Sequence, residues 1–298
     1  MLESFTQIKK VAIFGSVRKN GFSKALRDLF AVLNEKSVEI FLDAEVNGFV
    51  VGNSLKDLPE FSLLKKEEYS SLDLALSLGG DGTFLRTAYK VGEAGVPILG
   101  INLGNLGFLV DVPGDEIKTA INEIFSVGFT VEERSLLSLK RSDEEGNSVA
   151  LNEIAVLKQD TSSMIRVHTV INGEYLCTYR ADGLLISTPT GSTAYALSVG
   201  ASIMMPENKS FMLSPVAPHS LNLRPVIIPD NWKIELEVES RTNHFLVSLD
   251  GRSSLCTNNV CLSIEKAPYS VKVAKRLNHT YFNTLREKLM WGADARLR

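Results

Sequence analysis

The first third of the chain alternates short apolar runs with amphipathic stretches. Four apolar runs have the length and composition of buried strands: 10–14, 38–42, 72–78 and 96–101. Three stretches repeat apolar residues every three or four positions and are predicted helices: 23–35, 83–95 and 115–125. Ser23 is the predicted N-cap of the first helix. This alternation predicts a parallel sheet with helices on its faces.

From about residue 130 the pattern changes to short β-rich runs. The predicted strands are 136–140, 150–157, 166–170, 184–187, 226–228, 234–238, 245–249, 260–264 and 271–273. Asn172-Gly173 and Asp250-Gly251 are typical hairpin turns between such runs. The pattern predicts an antiparallel sandwich. A last amphipathic stretch at 281–290 predicts a helix that packs back on the first domain.

These changes in pattern predict three segments. They are an α/β domain over residues 1–125, a β-sandwich domain over 126–275, and a helical segment, 276–298, that returns to the first domain. Ligand sites favour domain interfaces and the carboxyl ends of parallel strands, so we expect the site at a cleft between the two domains.

Composition narrows the possible partners. The net charge is −3 and the pI is near 5.9, whereas a general nucleic-acid binder usually carries a basic excess. Three cysteines form no even disulfide framework and favour a reducing compartment. Residues 184–206 carry no charge, but Pro189, Gly191, Gly200 and many hydroxyls make them too polar and broken for a membrane span. We therefore expect a cytoplasmic protein that binds neither nucleic acid nor membrane.

The sequence Gly79-Gly80-Asp81-Gly82-Thr83 follows a predicted strand and opens a predicted helix. Glycines permit positive φ and close backbone approach, and a helix N-terminus offers N–H groups to phosphate. Asp81 could orient an attacking hydroxyl, accept its proton, or help to hold Mg²⁺. The alternative is a glycine turn with Asp81 as helix N-cap. The full pattern after an apolar strand favours the functional interpretation.

Two further segments suit a nucleoside. Residues 182–195 join a strand to a hydroxyl-rich turn, whose hydroxyls, amides and Tyr195 ring could contact ribose, base and phosphate. The alternative is a polar loop with Tyr195 in the core. Asn152-Glu153 suits ribose hydroxyls or a metal-bound water, although this pair alone is uninformative.

Several common motifs are missing from the sequence. No Gly-Lys dipeptide occurs, which excludes a Walker P-loop, and the glycines of 100–107 are mis-spaced for G-x-G-x-x-G. The four histidines are far apart without an H-E-x-x-H helix, so we predict no protein-built metal site.

Together these segments resemble the NAD kinase family over nearly the whole chain. The resemblance rests on Gly79–Thr83, Gly100–Leu109, Asn152-Glu153, Asp182–Tyr195, Ser214–Leu221, Arg224-Pro225, Asp250-Gly251 and Leu285–Leu289. The G-G-D-G motif is shared with diacylglycerol and sphingosine kinases and is related to that of phosphofructokinase. The run D-G-x-x-x-S-T-P-T-G-S-T-A-Y is far more specific to NAD kinases.

The resemblance implies ATP-dependent phosphorylation of NAD to NADP at the 2′-hydroxyl of the adenosine ribose. It implies a divalent metal such as Mg²⁺, ATP or sometimes polyphosphate as donor, and a homodimer or homotetramer. Asp81 is implied to be the catalytic aspartate that faces this hydroxyl. The other implied nucleotide-binding residues are Gly82, Arg86, Asn152, Glu153, Arg180, Asp182, Thr193, Ala194, Tyr195, Ala196, Leu197, Ser198, Ala217 and Arg252.

The chain departs from the family pattern in two places. Gly200-Ala201-Ser202-Ile203 stands where many members read Gly-Gly-Pro-Ile, and 14–18 replaces a loop that often carries Asn-Pro. Arg252 stands where many members carry Gln or Asn. Two other functions stay open: a lipid kinase of the diacylglycerol type, against which 182–195 argues, and a non-catalytic NAD(P) sensor that keeps the pocket.

Overall fold

The structure is a computed structural model that describes residues 8–55, 57–104, 107–159, 163–277 and 280–292. The chain divides into two compact units: unit 1 comprises residues 1–133 and 271–298, and unit 2 comprises residues 134–270. Both divisions fall within long strands, whereas the sequence pattern placed boundaries after 125 and 275. Those boundaries stay predictions about folding domains.

The α-helices are α1 (Phe22–Glu35), α2 (Ala44–Gly52), α3 (Asp81–Val91), α4 (Ile117–Val127), α5 (Tyr195–Ser198) and α6 (Tyr281–Leu289). The strands are β1 (Lys10–Gly15), β2 (Glu39–Leu42), β3 (Ser62–Leu63), β4 (Leu74–Gly79), β5 (Ile98–Asn102), β6 (Val112–Pro113), β7 (Thr130–Arg141), β8 (Asn147–Ala150), β9 (Glu153–Lys158), β10 (Ile165–Ile171), β11 (Glu174–Ala181), β12 (Gly183–Ser187), β13 (Ser210–Val216), β14 (Val226–Pro229), β15 (Ile234–Glu239), β16 (His244–Leu249), β17 (Arg252–Thr257) and β18 (Leu262–Lys275).

Unit 1 has the predicted parallel sheet. Its strands follow the order β18-β5-β4-β1-β2-β3, and β6 also pairs with β5. Leu76 and Leu78 of β4 join the main apolar cluster with α1, α2 and α4. Ser77 points to the other face, because strand side chains alternate, and there it accepts a hydrogen bond from Thr87 of α3. Helices therefore cover both faces of the sheet.

Two helix starts differ from prediction. The N-cap of α1 is Gly21 in the left-handed region, with φ of 80°, so Ser23 lies inside the helix. Glycine reaches this conformation without a Cβ penalty, and the helix start has no side-chain cap. The helix predicted from Thr83 begins at Asp81, and its N-cap is Gly80 with extended backbone. The interpretation of Asp81 as a capping residue is thus wrong.

Unit 2 contains two antiparallel sheets that share one apolar core. One sheet has the order β14-β13-β12-β9-β16-β17, and the other contains β7, β8, β10, β11, β15 and the first part of β18. Phe211 and Phe245 from the first sheet and Tyr179 and Leu236 from the second belong to the same core cluster. The predicted sandwich is confirmed. The hairpin at Asn172-Gly173 is also confirmed, with positive φ at both residues.

Candidate functional site

The carboxyl ends of β1 and β4 lie side by side at the centre of the unit 1 sheet. From β1 the chain continues through α1 to β2 on one side, and from β4 it continues through α3 to β5 on the other. The sheet therefore reverses its winding between β1 and β4. Open parallel sheets bind ligands in the crevice at such a switch point. Asp81 lies here, two residues after the end of β4.

The carboxylate of Asp81 binds three consecutive backbone N–H groups of the loop that follows β5. Phe108 N–H donates to Oδ2 at 3.0 Å, while Leu109 and Val110 N–H donate to Oδ1 at 3.0 and 3.2 Å. The side chain keeps 30% of its exposure. Hydrogen bonds from backbone amides fix the orientation of a carboxylate, so Asp81 is held in place and still accessible.

Glycines are required around Asp81 because neighbouring atoms leave no room for a side chain. A Cβ on Gly107 would overlap the Asp81 carboxylate, and a Cβ on Gly79 would overlap the Thr83 side chain. Gly79, Gly80 and Gly82 do not adopt positive φ. Of the two properties expected of these glycines, positive φ is therefore not used, whereas Gly79 permits close approach of strand and helix.

Helix α6 brings a cation to the same carboxylate. Lys288 Nζ lies 3.4 Å from Asp81 Oδ2, and its side chain is 29% exposed. The same Nζ lies 4.8 Å from the centre of the Phe108 ring, in a cation–π arrangement. Nothing in the sequence pattern assigned Lys288 to the site.

A second carboxylate, in unit 2, binds three consecutive N–H groups in the same manner. Asp250 Oδ2 accepts from Leu151 N–H at 2.7 Å, and Oδ1 accepts from Asn152 and Glu153 N–H at 2.8 and 3.2 Å. Asp250 occupies the predicted β16–β17 hairpin turn with φ of 48°. Burial raises the Asp250 pKa, which these hydrogen bonds and the Arg252 charge counteract.

Glu153 lies beside Asp250 and is 8% exposed. Burial and then the negative charge of Asp250 raise the pKa of Glu153 to about 7, against the lowering effect of a hydrogen bond from Tyr195 N–H. Among the described residues, Glu153 Oε2 has no hydrogen-bond partner. Burial thus raises the pKa of both carboxyl groups, although Glu153 is buried and Asp250 only half-buried.

The hydroxyl-rich turn after β12 packs directly on Asn152. Thr188 N–H donates to Asn152 O at 2.9 Å, and the Thr188 hydroxyl donates to Leu151 O at 2.5 Å. A Cβ on Gly191 would overlap Asn152 O. The helix predicted from Ser192 is replaced by a 3-10 turn, Thr190–Thr193, followed by the single turn α5. Tyr195 is 38% exposed, so it is not a core aromatic.

Other predicted residues lie at the opposite end of the same sheet. Asp182 precedes β12 and pairs with Lys158 at 2.6 Å, and its N–H donates to Val216 O. Ala217 follows with φ of 43°. At about 3.3 Å per residue, the five residues of β12 separate this group from Glu153 by roughly 15 Å. The two groups cannot contact one atom of a ligand together.

The remaining predicted residues have the following positions. Gly82 and Arg86 are exposed on α3, and Arg180 is exposed on β11. Arg252 donates from Nη2 to Val149 O at 2.7 Å and from Nε to Leu249 O at 3.2 Å. In the region 193–198, Thr193, Ala194 and Leu197 are half-buried, Ala196 is buried and Ser198 is exposed.

The described residues contain no group of three His, Cys, Asp or Glu side chains that could hold a metal ion. No helix in that part of the chain is both long and apolar enough to cross a membrane, and 184–206 consists of β12, the 3-10 turn, α5 and connecting residues.

Family models match both halves of the chain. The N-terminal domain of ATP-NAD kinase matches residues 11–129, and the C-terminal domain of ATP-NAD kinase matches residues 151–276. The chain belongs to the ATP-NAD kinase family. The resemblance is confirmed, and the activity is ATP-dependent phosphorylation of NAD.

Full-length relatives of the ATP-NAD kinase family show the same match. An NAD kinase of Bacteroides fragilis is 48% identical over 290 residues, which cover 97% of this chain and all of the relative. An NAD kinase of Flavobacterium psychrophilum is 41% identical, with 96% and 99% covered. The chain is thus similar to NAD kinases over both units.

Two solved structures, of an NAD kinase and of an NADH kinase, agree in fold with this chain. An NAD kinase from Archaeoglobus fulgidus in complex with ATP matches with a TM-score of 0.71 and 26% identity, over 95% of this chain and 97% of that one. Yeast NADH kinase complexed with NADH matches with a TM-score of 0.87 and 24% identity, over 99% and 91%. The second likeness concerns the fold alone.

Proposed function

We propose that Asp81 orients the 2′-hydroxyl of the adenosine ribose of NAD for attack on the γ-phosphoryl group of ATP, which gives NADP. One observation carries this role: an accessible carboxylate is fixed by three backbone N–H groups at the switch point of the parallel sheet. Accurate placement of a reacting group accounts for much of the rate in such reactions.

In phosphoryl transfer the protein contributes mainly by stabilising charge, and little by covalent catalysis. The first turn of α3 leaves N–H groups without intrahelical partners, and exposed Gly82 gives a ligand access to this backbone. These groups suit the oxygens of a phosphoryl group near Asp81. Arg86, exposed on the same helix, is assigned to the nucleotide charge.

Mg²⁺ belongs to this proposal as a companion of ATP. The described residues offer no three-ligand site, which favours a metal that arrives bound to the donor phosphates. Its chemistry would be neutralisation of phosphate charge. ATP is the proposed donor, and the departures at 14–18 and 200–203 make polyphosphate the donor to test beside it.

Recognition of NAD is proposed for unit 2. Around Glu153, a nucleoside can reach half-buried Asn152 and the exposed Tyr195 ring, while buried Glu153 holds the turn through Tyr195 N–H. Arg180, Asp182 and Ala217 form the second group. A dinucleotide has two nucleosides, so each group suits one end of NAD or the NAD of a neighbouring copy.

An arrangement in which one group contacts the NAD of a neighbouring copy fits the proposed homodimer or homotetramer. Analytical ultracentrifugation of the purified chain tests it directly: a sedimentation mass of one chain at assay concentrations contradicts sharing between copies. The free state of Cys177, Cys256 and Cys261 supports the proposed cytoplasmic location, because a reducing compartment preserves thiols.

The decisive experiment replaces Asp81 by Asn and measures NADP formation from NAD and ATP. We expect kcat to fall about 100-fold or more, because one reacting group loses its orienting acceptor. Asp73→Asn is the matched control: its carboxylate also accepts two backbone N–H bonds in unit 1, from Lys9 and Lys10, and it directly precedes β4. Near-normal turnover of Asp81→Asn contradicts the proposed role.

The same assay separates the alternative functions. Parallel reactions contain NAD, NADH or a diacylglycerol as acceptor, and ATP, GTP or polyphosphate as donor, with and without Mg²⁺. Turnover with the lipid and none with the dinucleotides rejects the proposal. Tight NADP binding without turnover under all donors indicates a sensor.

A further inference from the structure

The last helix of the chain contacts the loop that holds Asp81 at two points. Tyr281, the first residue of α6, places its ring centre 6.2 Å from that of Phe108 at an interplanar angle of 40°. Lys288, in the last turn, places Nζ 4.8 Å from the centre of the same Phe108 ring. Phe108 itself is 8% exposed. Both ends of α6 therefore fix one residue of the Asp81 loop.

Both contacts lead to a single carboxylate oxygen. Phe108 N–H donates to Asp81 Oδ2 at 3.0 Å, and Lys288 Nζ lies 3.4 Å from that atom. The other oxygen, Oδ1, is held by Leu109 and Val110. Helix α6 thus acts on Oδ2 directly through the ammonium group and indirectly through the Phe108 amide.

We propose that Lys288 is a positioning residue for phosphoryl transfer, which keeps the Asp81 carboxylate in the orientation that faces the acceptor hydroxyl. The inference rests on the proposed role of Asp81. Ion pairs between partly exposed side chains add little to stability, so the consequence of this pair is geometric. An ammonium group is a point charge on a flexible stem, and its packing on Phe108 restricts where it lies.

Lys288→Met removes the charge and keeps an unbranched apolar side chain on the Phe108 ring. We expect kcat to fall by about 10-fold to 100-fold, since displacement of a reacting group by about 1 Å has costs of that order. The KM values for NAD and ATP should stay within about twofold, because orientation acts on the transition state. Lys288→Arg, which keeps the charge, should recover most of the lost turnover.

Arg286→Met is the matched control on the same helix. It removes one positive charge from an exposed residue whose side chain contacts Asn283. Kinetics and thermal unfolding are measured on the full chain for both variants, with Lys288→Gln as a second neutral variant if Lys288→Met folds poorly. Wild-type kcat in a folded neutral variant overturns the proposal, as does an equal loss in Arg286→Met.

A double-mutant cycle distinguishes action through Asp81 from an independent role. If Lys288 acts through that carboxylate, the kcat of the double variant Asp81→Asn/Lys288→Met should be within about threefold of the kcat of Asp81→Asn alone. Multiplicative losses, or a raised KM for ATP with unchanged kcat, would assign Lys288 to the donor phosphates and overturn the proposal. An active Asp81→Asn variant refutes the role of Asp81 itself, whereas an active Lys288→Met beside an inactive Asp81→Asn refutes this inference alone.

Discussion

Two carboxylates in this protein have the same immediate partners and different surroundings. Asp81 in unit 1 and Asp250 in unit 2 each accept hydrogen bonds from three consecutive backbone N–H groups. Asp81 is partly exposed and has Lys288 beside it. Asp250 is half-buried, burial raises its pKa, and the second carboxyl group beside it belongs to Glu153.

The difference shows that amide binding alone does not define a reacting group. Three N–H bonds orient a carboxylate in both units, but the charged neighbours differ. Lys288 lies beside Asp81, whereas Asp250 has the Glu153 carboxyl group beside it as well as the charge of Arg252. Asp250 uses its hydrogen bonds to join the β16–β17 turn to the backbone of 151–153. We therefore propose that Asp81 acts in the chemistry and that Asp250, beside buried Glu153, fixes the shape of the proposed recognition site.

Gly107→Ala is expected to have the largest effect on turnover, and it tests whether the orientation of Asp81 matters. The added Cβ would overlap the Asp81 carboxylate, so either that side chain or the loop must move. We expect kcat to fall about 100-fold, in line with displacement of a reacting group. Gly104→Ala is the control in the same loop, because its Cβ meets no atom within 4 Å. Equal activity of the two variants in the NADP assay would show that the Asp81 orientation does not limit turnover.

The next effect concerns Asp250→Asn. The amide NH₂ of asparagine is only a donor, so it cannot replace the carboxylate oxygen that accepts hydrogen bonds from backbone N–H groups. We expect the free energy of unfolding to fall by about 1–3 kcal/mol. The KM for NAD should rise more than kcat falls, since Asn152 carries one of those N–H groups. Urea unfolding and steady-state kinetics measure both. If Asp250→Asn lowers kcat but leaves the KM for NAD and the stability unchanged, Asp250 behaves as a reacting group like Asp81, which contradicts the different roles assigned to the two carboxylates.

The last effect concerns stability alone and not turnover: a pH dependence of the free energy of unfolding that comes from Glu153. Its folded pKa of about 7 lies above that of an exposed glutamate, so the folded state binds the extra proton between these values. The free energy of unfolding should therefore fall as pH rises from about 5 to 8. Relative to Glu153→Gln, this decrease should approach about 3 kcal/mol. Chemical unfolding at several pH values measures it, and parallel curves for the two proteins contradict the assigned burial.

The sequence predicted the fold where its periodicity was strong. The strand-helix alternation of unit 1 and the sandwich of unit 2 are present, and the resemblance to NAD kinases is confirmed. The predicted elements did not include helix α2 or strands β3, β6, β8, β11, β13 and β17. In β11 the residues Cys177 to Arg180 mix polar and apolar types, so the sequence of this strand carries a weak pattern of its own. The hairpin turn at Asn172-Gly173 sets its pairing with β10.

The site could be predicted only in part. Asp81 was found because glycines mark the end of an apolar strand, a local signal. Lys288 and the amides of 108–110 were missed as its partners, because their contacts join residues distant in sequence. The role of Asp250 was likewise hidden: an Asp-Gly pair predicts a turn, but not that the side chain holds a distant backbone segment.

Helix α6 also has a consequence for how the protein is made. Lys288 and Asp81 are 207 residues apart, with the whole sandwich between them. On the ribosome, the strand and turn that carry Asp81 emerge long before the helix that completes their surroundings. A nascent chain can therefore form strands β1 to β5 well before β18 joins the sheet and α6 reaches the Asp81 loop. Tags or proteolytic cuts near α6 should accordingly be judged by turnover as well as by solubility.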